Sequence, residues 1–335
     1  MEPARYLRTP LTERLGLRHP ILSAPMAGVA GGALAAAVSR AGGLGIIGGG
    51  YGDRTWLELE LGAAGEVPIG IGFITWALAR RPELLDLALD HGPVAIFLSF
   101  GDCRPFARKV RHSSSLLILQ VQTLEQARAA IDEGADIVVA QGTEAGGHGG
   151  RRATLPLVPA VVDLAGAVPV VAAGGIADGR GLAAALVLGA AGVLCGTAFF
   201  ASREALSHPA AKQAAVRATG DATLRSRVFD IARGLDWPAE WDLRTLRNRF
   251  AERWAAAPDS IAAAGEEVLR AYAEAVAAGD VGTATVIVGE AVDLVRRQEP
   301  AAAIVERLVS EAAARLGDAP SLLAPTSRRD LSVGV

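Results

Sequence analysis

A chain of 335 residues exceeds the needs of one ordinary domain and has room for a large domain with an extra lobe. Hydrophobic residues make up 51% and charged residues 21%, which excludes global disorder, and the apolar share leans on Ala rather than on aromatics, as closely packed helices do. A net charge of −3 with interspersed signs, and no basic face, RNA motif or zinc-ligand spacing, argues against nucleic acid and metal as partners.

Two cysteines, Cys103 and Cys195, are too few for a disulfide framework. The opening segment carries charges but no apolar core of a secretion signal, so the cytoplasm is the expected location. The longest apolar stretch, Gly181 to Phe200, is interrupted by glycines and reads as a helix followed by a strand, so no membrane span is expected. The one basic cluster, Arg108, Lys109 and Arg111, reads as a solvated helix end or loop.

From residue 21 to about residue 200 short apolar runs recur, each followed by glycine or polar punctuation and then an Ala/Leu-rich segment. The runs cover 21–25, 44–48, 68–74, 94–100, 116–121, 136–141, 169–174 and 192–197. Both faces of each run are apolar, as in buried parallel strands. Helices are expected over 31–40, 54–61, 81–90, 123–133 and 180–188; Thr123 is placed to cap one of them and Gly134 to end it. Eight alternating units favour a closed (β/α)8 TIM barrel over 1–205, with an open doubly wound sheet as the alternative. Beyond residue 205 the rhythm stops. A Trp-containing polar segment and a helix over 260–278 suggest a helical lobe over 206–285, lying on the barrel mouth. A helix over 290–316 would return to the barrel, and 286–335 forms the third region.

Function in such a barrel collects on the loops after the C-terminal ends of the strands. Four unusual stretches fall there. In AAGGIADG (172–179), Gly174 and Gly175 admit an anion close to the backbone, and a helix beginning near Asp178 would direct its amides to the same point. In CGTAF (195–199), Gly196 exposes an amide and Thr197 adds a hydroxyl; a pair of loops after the seventh and eighth strands is where barrels hold phosphate. QGTEAGGHGG (141–150) surrounds His148 with glycines in what reads as a flexible loop, where an imidazole is available as acid, base or anion partner. SAPMAG (23–28) would lay Ala24, Pro25 and Met26 against a flat ring, although by composition alone core filling is the stronger explanation for Met26. The remaining histidines, His19, His91, His112 and His208, read as structural or surface residues. Cys195 reads as a small core residue inside a strand. Trp237 and Trp241 either line the mouth or anchor lobe to barrel.

In this order, the four stretches resemble the nitronate monooxygenase family over about residues 11–200, and more weakly beyond. Related FMN-dependent enoyl-acyl-carrier-protein reductases and NAD(P)H:quinone reductases share similar loops. The resemblance implies FMN at the barrel mouth: Ala24, Met26 and Gly72 near the ring, Gln141 and Gly146 at the ring or ribityl side, and Gly174, Gly175, Gly196 and Thr197 at the phosphate. It assigns the catalytic histidine to His148. Two departures stand out. Gly72 lies where many members have Asn, and Gly149 follows the histidine where many have Arg. The implied reaction is oxidation of an alkyl nitronate or nitroalkane by O2 to a carbonyl compound and nitrite. An NAD(P)H-dependent reductase is the competing enzyme, and a flavin-binding protein without turnover is the reading from another class. Association into a homodimer is compatible with this reading.

Overall fold

The computed structural model describes residues 7–323. The apolar runs become strands because each is punctuated by a residue that stops a helix and is buried on both sides. In chain order these are β1 (Ile21–Ser23), β2 (Ile46–Gly48), β3 (Gly70–Ile74), β4 (Ala95–Ser99), β5 (Leu116–Val121) and β6 (Ile137–Gln141). A short outlying strand β7 (Gly147–Gly149) follows, then β8 (Val170–Ala173) and β9 (Gly192–Cys195). All except β7 pair in parallel in the order β1-β9-β8-β6-β5-β4-β3-β2.

The two ends of that series meet. Leu22 bridges Leu44, the Leu44 amide donates to the Ile21 carbonyl at 3.0 Å, and the Ile46 amide donates to the Ser23 hydroxyl at 3.1 Å. An open sheet would leave two edges unpaired; this joint closes the barrel and removes that alternative. Alternation then sorts the side chains. Leu22, Ile46, Phe97, Ile118, Val139, Val171 and Leu194 fill the interior, where Leu11 of helix Pro10–Leu15 joins them. Ile21, Ile47, Ile96, Leu119, Val138 and Val193 belong to the larger layer under the helices. A filled interior leaves only the loops at the strand ends to form a cavity.

Local capping explains several helix boundaries. Thr123 accepts from the Gln126 amide at the start of Leu124–Asp132, and Asp53 accepts from the Trp56 amide at the start of Arg54–Ala64. The basic cluster does end a helix, Arg104–Arg111, and Lys109 there pairs with Asp86. That helix, Thr154–Ala165 and Pro209–Arg217 were not anticipated by the periodicity.

The segment expected to be a helical lobe differs in an important way. It carries two strands, β10 (Thr223–Ser226) and β11 (Asp242–Leu246), which form an antiparallel sheet with β7 of the barrel loop. Its helices pack around Val228, Phe229, Leu243, Ile261 and Tyr272. The helix expected over 260–278 is interrupted at Gly265, whose φ of 85° lies in the left-handed region. The helix expected from Glu290 begins instead at Ala301, after Pro300, with only a 3-10 turn over Glu290–Leu294 before it. It does return to the barrel: a Cβ on Gly179 would sit 2.3 Å from the Glu311 side chain, so the helix Gly179–Val187 meets it at backbone distance. The tail 324–335 and residues 1–6, included in the first and third expected regions, lie outside the described residues. No helix among the described residues is long and apolar enough to cross a membrane.

Candidate active site

The strand ends and the lobe enclose one cavity at the C-terminal mouth. All ten site residues expected from sequence line it: Ala24, Met26, Gly72, Gln141, Gly146, His148, Gly174, Gly175, Gly196 and Thr197. They come from β1, β3, β6 and its loop, β8 and β9, so only barrel closure brings them together. Among the described lining residues, Arg233 is the one with a formal charge besides the titratable His148.

Backbone geometry explains the glycines that follow β8. Gly174 and Gly175 have φ of 103° and 70°, a region other residues enter only with strain. A Cβ on Gly174 would meet the Thr154 hydroxyl at 2.8 Å and the Gly142 carbonyl at 2.9 Å. The Thr197 hydroxyl accepts from the Gly289 amide at 2.8 Å, which leaves its own hydrogen free to donate. The expectation for the helix beginning near Asp178 is corrected. Its first amides are already taken, Gly179 by Glu311 at 2.8 Å and Arg180 and Gly181 by Asp178 at 3.0 and 3.2 Å. The helix amides after Asp178 are therefore not available to the cavity, whose lining here is the glycine pair and the 196–197 turn.

The 141–150 loop is held firmly, which departs from the flexible loop expected from its glycines. β7 pairs with β11, and the guanidinium of Arg225 donates to the carbonyls of Thr143 at 2.8 Å, Ala145 at 3.2 Å and Asp242 at 2.6 Å. Burial pushes Arg225 down from 12.5 to about 10, so it stays charged near neutrality. Arg244, its neighbour across the sheet, adds a bond to the Thr143 carbonyl at 3.1 Å and an ion pair with Glu290 at 2.9 Å. Glu144 anchors the other side through the Thr154 amide and hydroxyl. Gly149 has a steric reason here: a Cβ would approach the Arg225 guanidinium to 2.9 Å. Gly72 has one too, since a Cβ would lie 2.4 Å from Pro25.

Three glutamines form the floor beside the loop. The Gln141 side-chain oxygen accepts from Gln122 at 2.9 Å and Gln120 at 3.2 Å, and its nitrogen donates to the His148 carbonyl at 3.1 Å. Gln141 thus fixes the backbone of the histidine, and Gln120, itself a lining residue, joins it at the cavity wall.

His148 is buried, and its ring is held on two sides. Nε2 lies 3.0 Å from each carboxylate oxygen of Asp230, which is itself buried and accepts from Arg233 at 2.8 Å. Trp237 stacks on the imidazole at a centroid distance of 3.3 Å and an angle of 9°. The Trp237 ring nitrogen donates to the Tyr51 hydroxyl at 3.1 Å. Trp76, Phe100 and Trp241 surround Trp237 edge-on, and Phe100 sits at φ 61°, an uncommon conformation for a bulky residue. Burial pushes His148 below its ordinary 6.5, and the Asp230 hydrogen bond opposes that fall. Trp237 therefore both lines the cavity and joins lobe to barrel. Cys195 faces none of this: it is buried in β9 and its thiol is pushed up to about 12 by burial.

A family model described as nitronate monooxygenase matches residues 8–75 and 78–311. The chain belongs to that family. It is 36% identical to the nitronate monooxygenase npaC of Metarhizium robertsii over 332 residues, covering 88% of this chain and 91% of the relative. Among solved structures it is similar to FabK from Thermotoga maritima, with a TM-score of 0.82 and 30% identity, covering 95% of this chain and all of that one. A nitroalkane oxidase from Streptomyces ansochromogenes aligns with a TM-score of 0.76 and 30% identity over 92% of this chain and 99% of that one. Membership gives the cavity an enzymatic context: His148 is its central titratable group, with Asp230 and Trp237 of the lobe and Phe100 of the barrel around it.

Asp230, Arg233, Tyr51, Gln120 and Gln122 were not singled out in the sequence. The segment 230–254 did stand out by its tryptophans, and Asp230 opens it; nothing local ties that carboxylate to a histidine 82 positions earlier.

Proposed function

We propose that this chain is an FMN-dependent nitronate monooxygenase, oxidising alkyl nitronates with O2 to carbonyl compounds and nitrite. The observation that carries the reading is the joint lining of one cavity by all ten expected residues in a chain of this family. The residues present fit FMN. The Gly174–Gly175 pair offers backbone amides without side-chain bulk, Thr197 has a spare hydroxyl hydrogen, and no Asp or Glu lies among the described lining residues to repel a phosphate. Ala24, Pro25 and Met26 would lie against the ring, with Gly72 beside them and Gln120 and Gln141 toward its polar edge. Gly146 would approach from the loop. When bound, the flavin supplies the electron chemistry with oxygen that side chains do not.

The protein's own part is placement and exclusion of water. Tyr51, Phe100 and Trp237 wall the cavity, with Trp76 and Trp241 packed behind them. Such a dry enclosure strengthens every polar contact made inside it. His148 faces the substrate, orienting the nitro oxygens or taking a proton from the carbon beside them.

The test is oxygen consumption and nitrite release by the flavin-loaded protein with ethyl nitronate, and anaerobic mixing with NADH or NADPH. Nitrite formation without added nicotinamide is expected. Loss of flavin colour with nicotinamide, and no reaction with nitronate, would make this chain a reductase on the same barrel.

A further inference from the structure

His148 and Asp230 belong to different parts of the fold, the barrel loop and the lobe helix Val228–Ala232, and they meet in its buried joint. A carboxylate can only accept, and that of Asp230 already accepts from Arg233, so the Nε2 of His148 is the donor between them. In the neutral ring the second nitrogen, Nδ1, then carries the lone pair. Among the described residues Nδ1 has no hydrogen-bond partner, one ring face is covered by Trp237, and the ring lines the cavity. The only place left for Nδ1 to act is toward a cavity ligand.

The charged groups around the ring are already engaged with one another or with the loop backbone. Asp230 and Arg233 neutralise each other, and Arg225 of β10, the other cation near His148, is committed to loop carbonyls. Tyr51 stands beside Arg233 as a neutral phenol, since burial pushes it above 10.0. When His148 takes a proton, the imidazolium it becomes lies directly against the Asp230 carboxylate.

We propose that Asp230 is a positioning residue that makes His148 a one-sided base, with Nε2–H anchored on the lobe and Nδ1 presented to the cavity. The inference rests on the oxygenase reading and deepens it. In the step itself the C–H bond beside the nitro group breaks and its proton goes to Nδ1. The electron pair left behind becomes the C=N bond of the nitronate as an N=O pair moves onto oxygen, and the Nε2 hydrogen stays on the ring, donated to Asp230. Arg233 holds the carboxylate in place and tempers its charge.

The experiment compares wild type, Asp230→Asn, Asp230→Glu and Arg233→Gln, full-length and flavin-loaded, with nitroethane and with preformed ethyl nitronate across pH. Asp230→Asn is expected to lose roughly a hundredfold in kcat/KM on nitroethane, the scale of losing a base, but only a few-fold on the nitronate. Asp230→Glu should recover part of the loss. The acid limb of the nitroethane profile should move down in Asp230→Asn, which removes an influence raising the His148 pKa, and up in Arg233→Gln, which removes one lowering it. Imidazole 15N NMR should show the Nε2–H tautomer in wild type and its loss in Asp230→Asn. Equal losses on both substrates, or limbs moving in the same direction, would overturn the proposal. If Asp230→Asn does not fold, the Arg233→Gln limb decides alone: upward movement supports the couple, and any other result refutes it. A wild type inert to both substrates would overturn the oxygenase reading, and this proposal with it.

Discussion

Replacing Arg225 by Met tests whether the glycine-rich loop owes its order to the lobe. The buried guanidinium makes three short bonds to the carbonyls of Thr143, Ala145 and Asp242, at 2.8, 3.2 and 2.6 Å. Bonds to a charged donor contribute about 1.5–3 kcal/mol each, so their loss alone would cost roughly 5–9 kcal/mol. Against this, the fall of Arg225 from 12.5 to about 10 reflects about 3 kcal/mol lost to burial and to the neighbouring Arg244 charge, which the apolar side chain does not suffer. The net expectation is a destabilisation of about 2–6 kcal/mol, since carbonyls left in the joint lack partners. Because the loop carries Gly146 and His148, displacement there should also lower kcat/KM by about tenfold or more. Urea unfolding monitored by tryptophan fluorescence, with steady-state kinetics on the surviving folded protein, measures both. A stability loss below about 1 kcal/mol together with unchanged kcat/KM would refute the clamp.

Gly174→Ala should weaken FMN binding by at least about tenfold in a flavin fluorescence titration, because the left-handed backbone costs about 1–2 kcal/mol and the new methyl meets Thr154 and Gly142; unchanged affinity would remove the glycine pair from the phosphate site. Trp237→Ala should rehydrate His148, and since burial is the main cause of its lowered pKa, the value should climb toward 6.5 and carry the acid limb of the rate upward. The same variant should accept bulkier nitro compounds, measured as a changed kcat/KM ratio between long and short substrates. Of the two thiols, buried Cys195 should resist a maleimide in the native protein while half-buried Cys103 reacts, with both labelled in urea; mass spectrometry reads the count.

The sequence by itself determined the barrel, and the reason is local. Parallel strands covered on both faces read as unbroken apolar runs, and the residues that end them, such as Gly134 and Thr123, act within one turn. The glycines of the mouth were legible for a related reason: Gly174 and Gly175 adopt backbone angles that other residues resist, so the conformation is written into residue type. What only the tertiary structure decided was the partnership of those groups. β10 and β11 are short and polar, and they become strands because β7 offers an edge to pair with; no period-2 pattern announced them. The amides of the helix after Asp178 looked free until Glu311, 132 residues on, was seen to occupy one of them. Asp230, Arg233 and Trp237 converge on His148 only after the chain has closed eight strands and folded the lobe back over the mouth. Strand and turn preferences are short-range energies that a window of residues contains; the choice of which carboxylate meets which imidazole is made by packing across the joint, where distance along the chain carries no information.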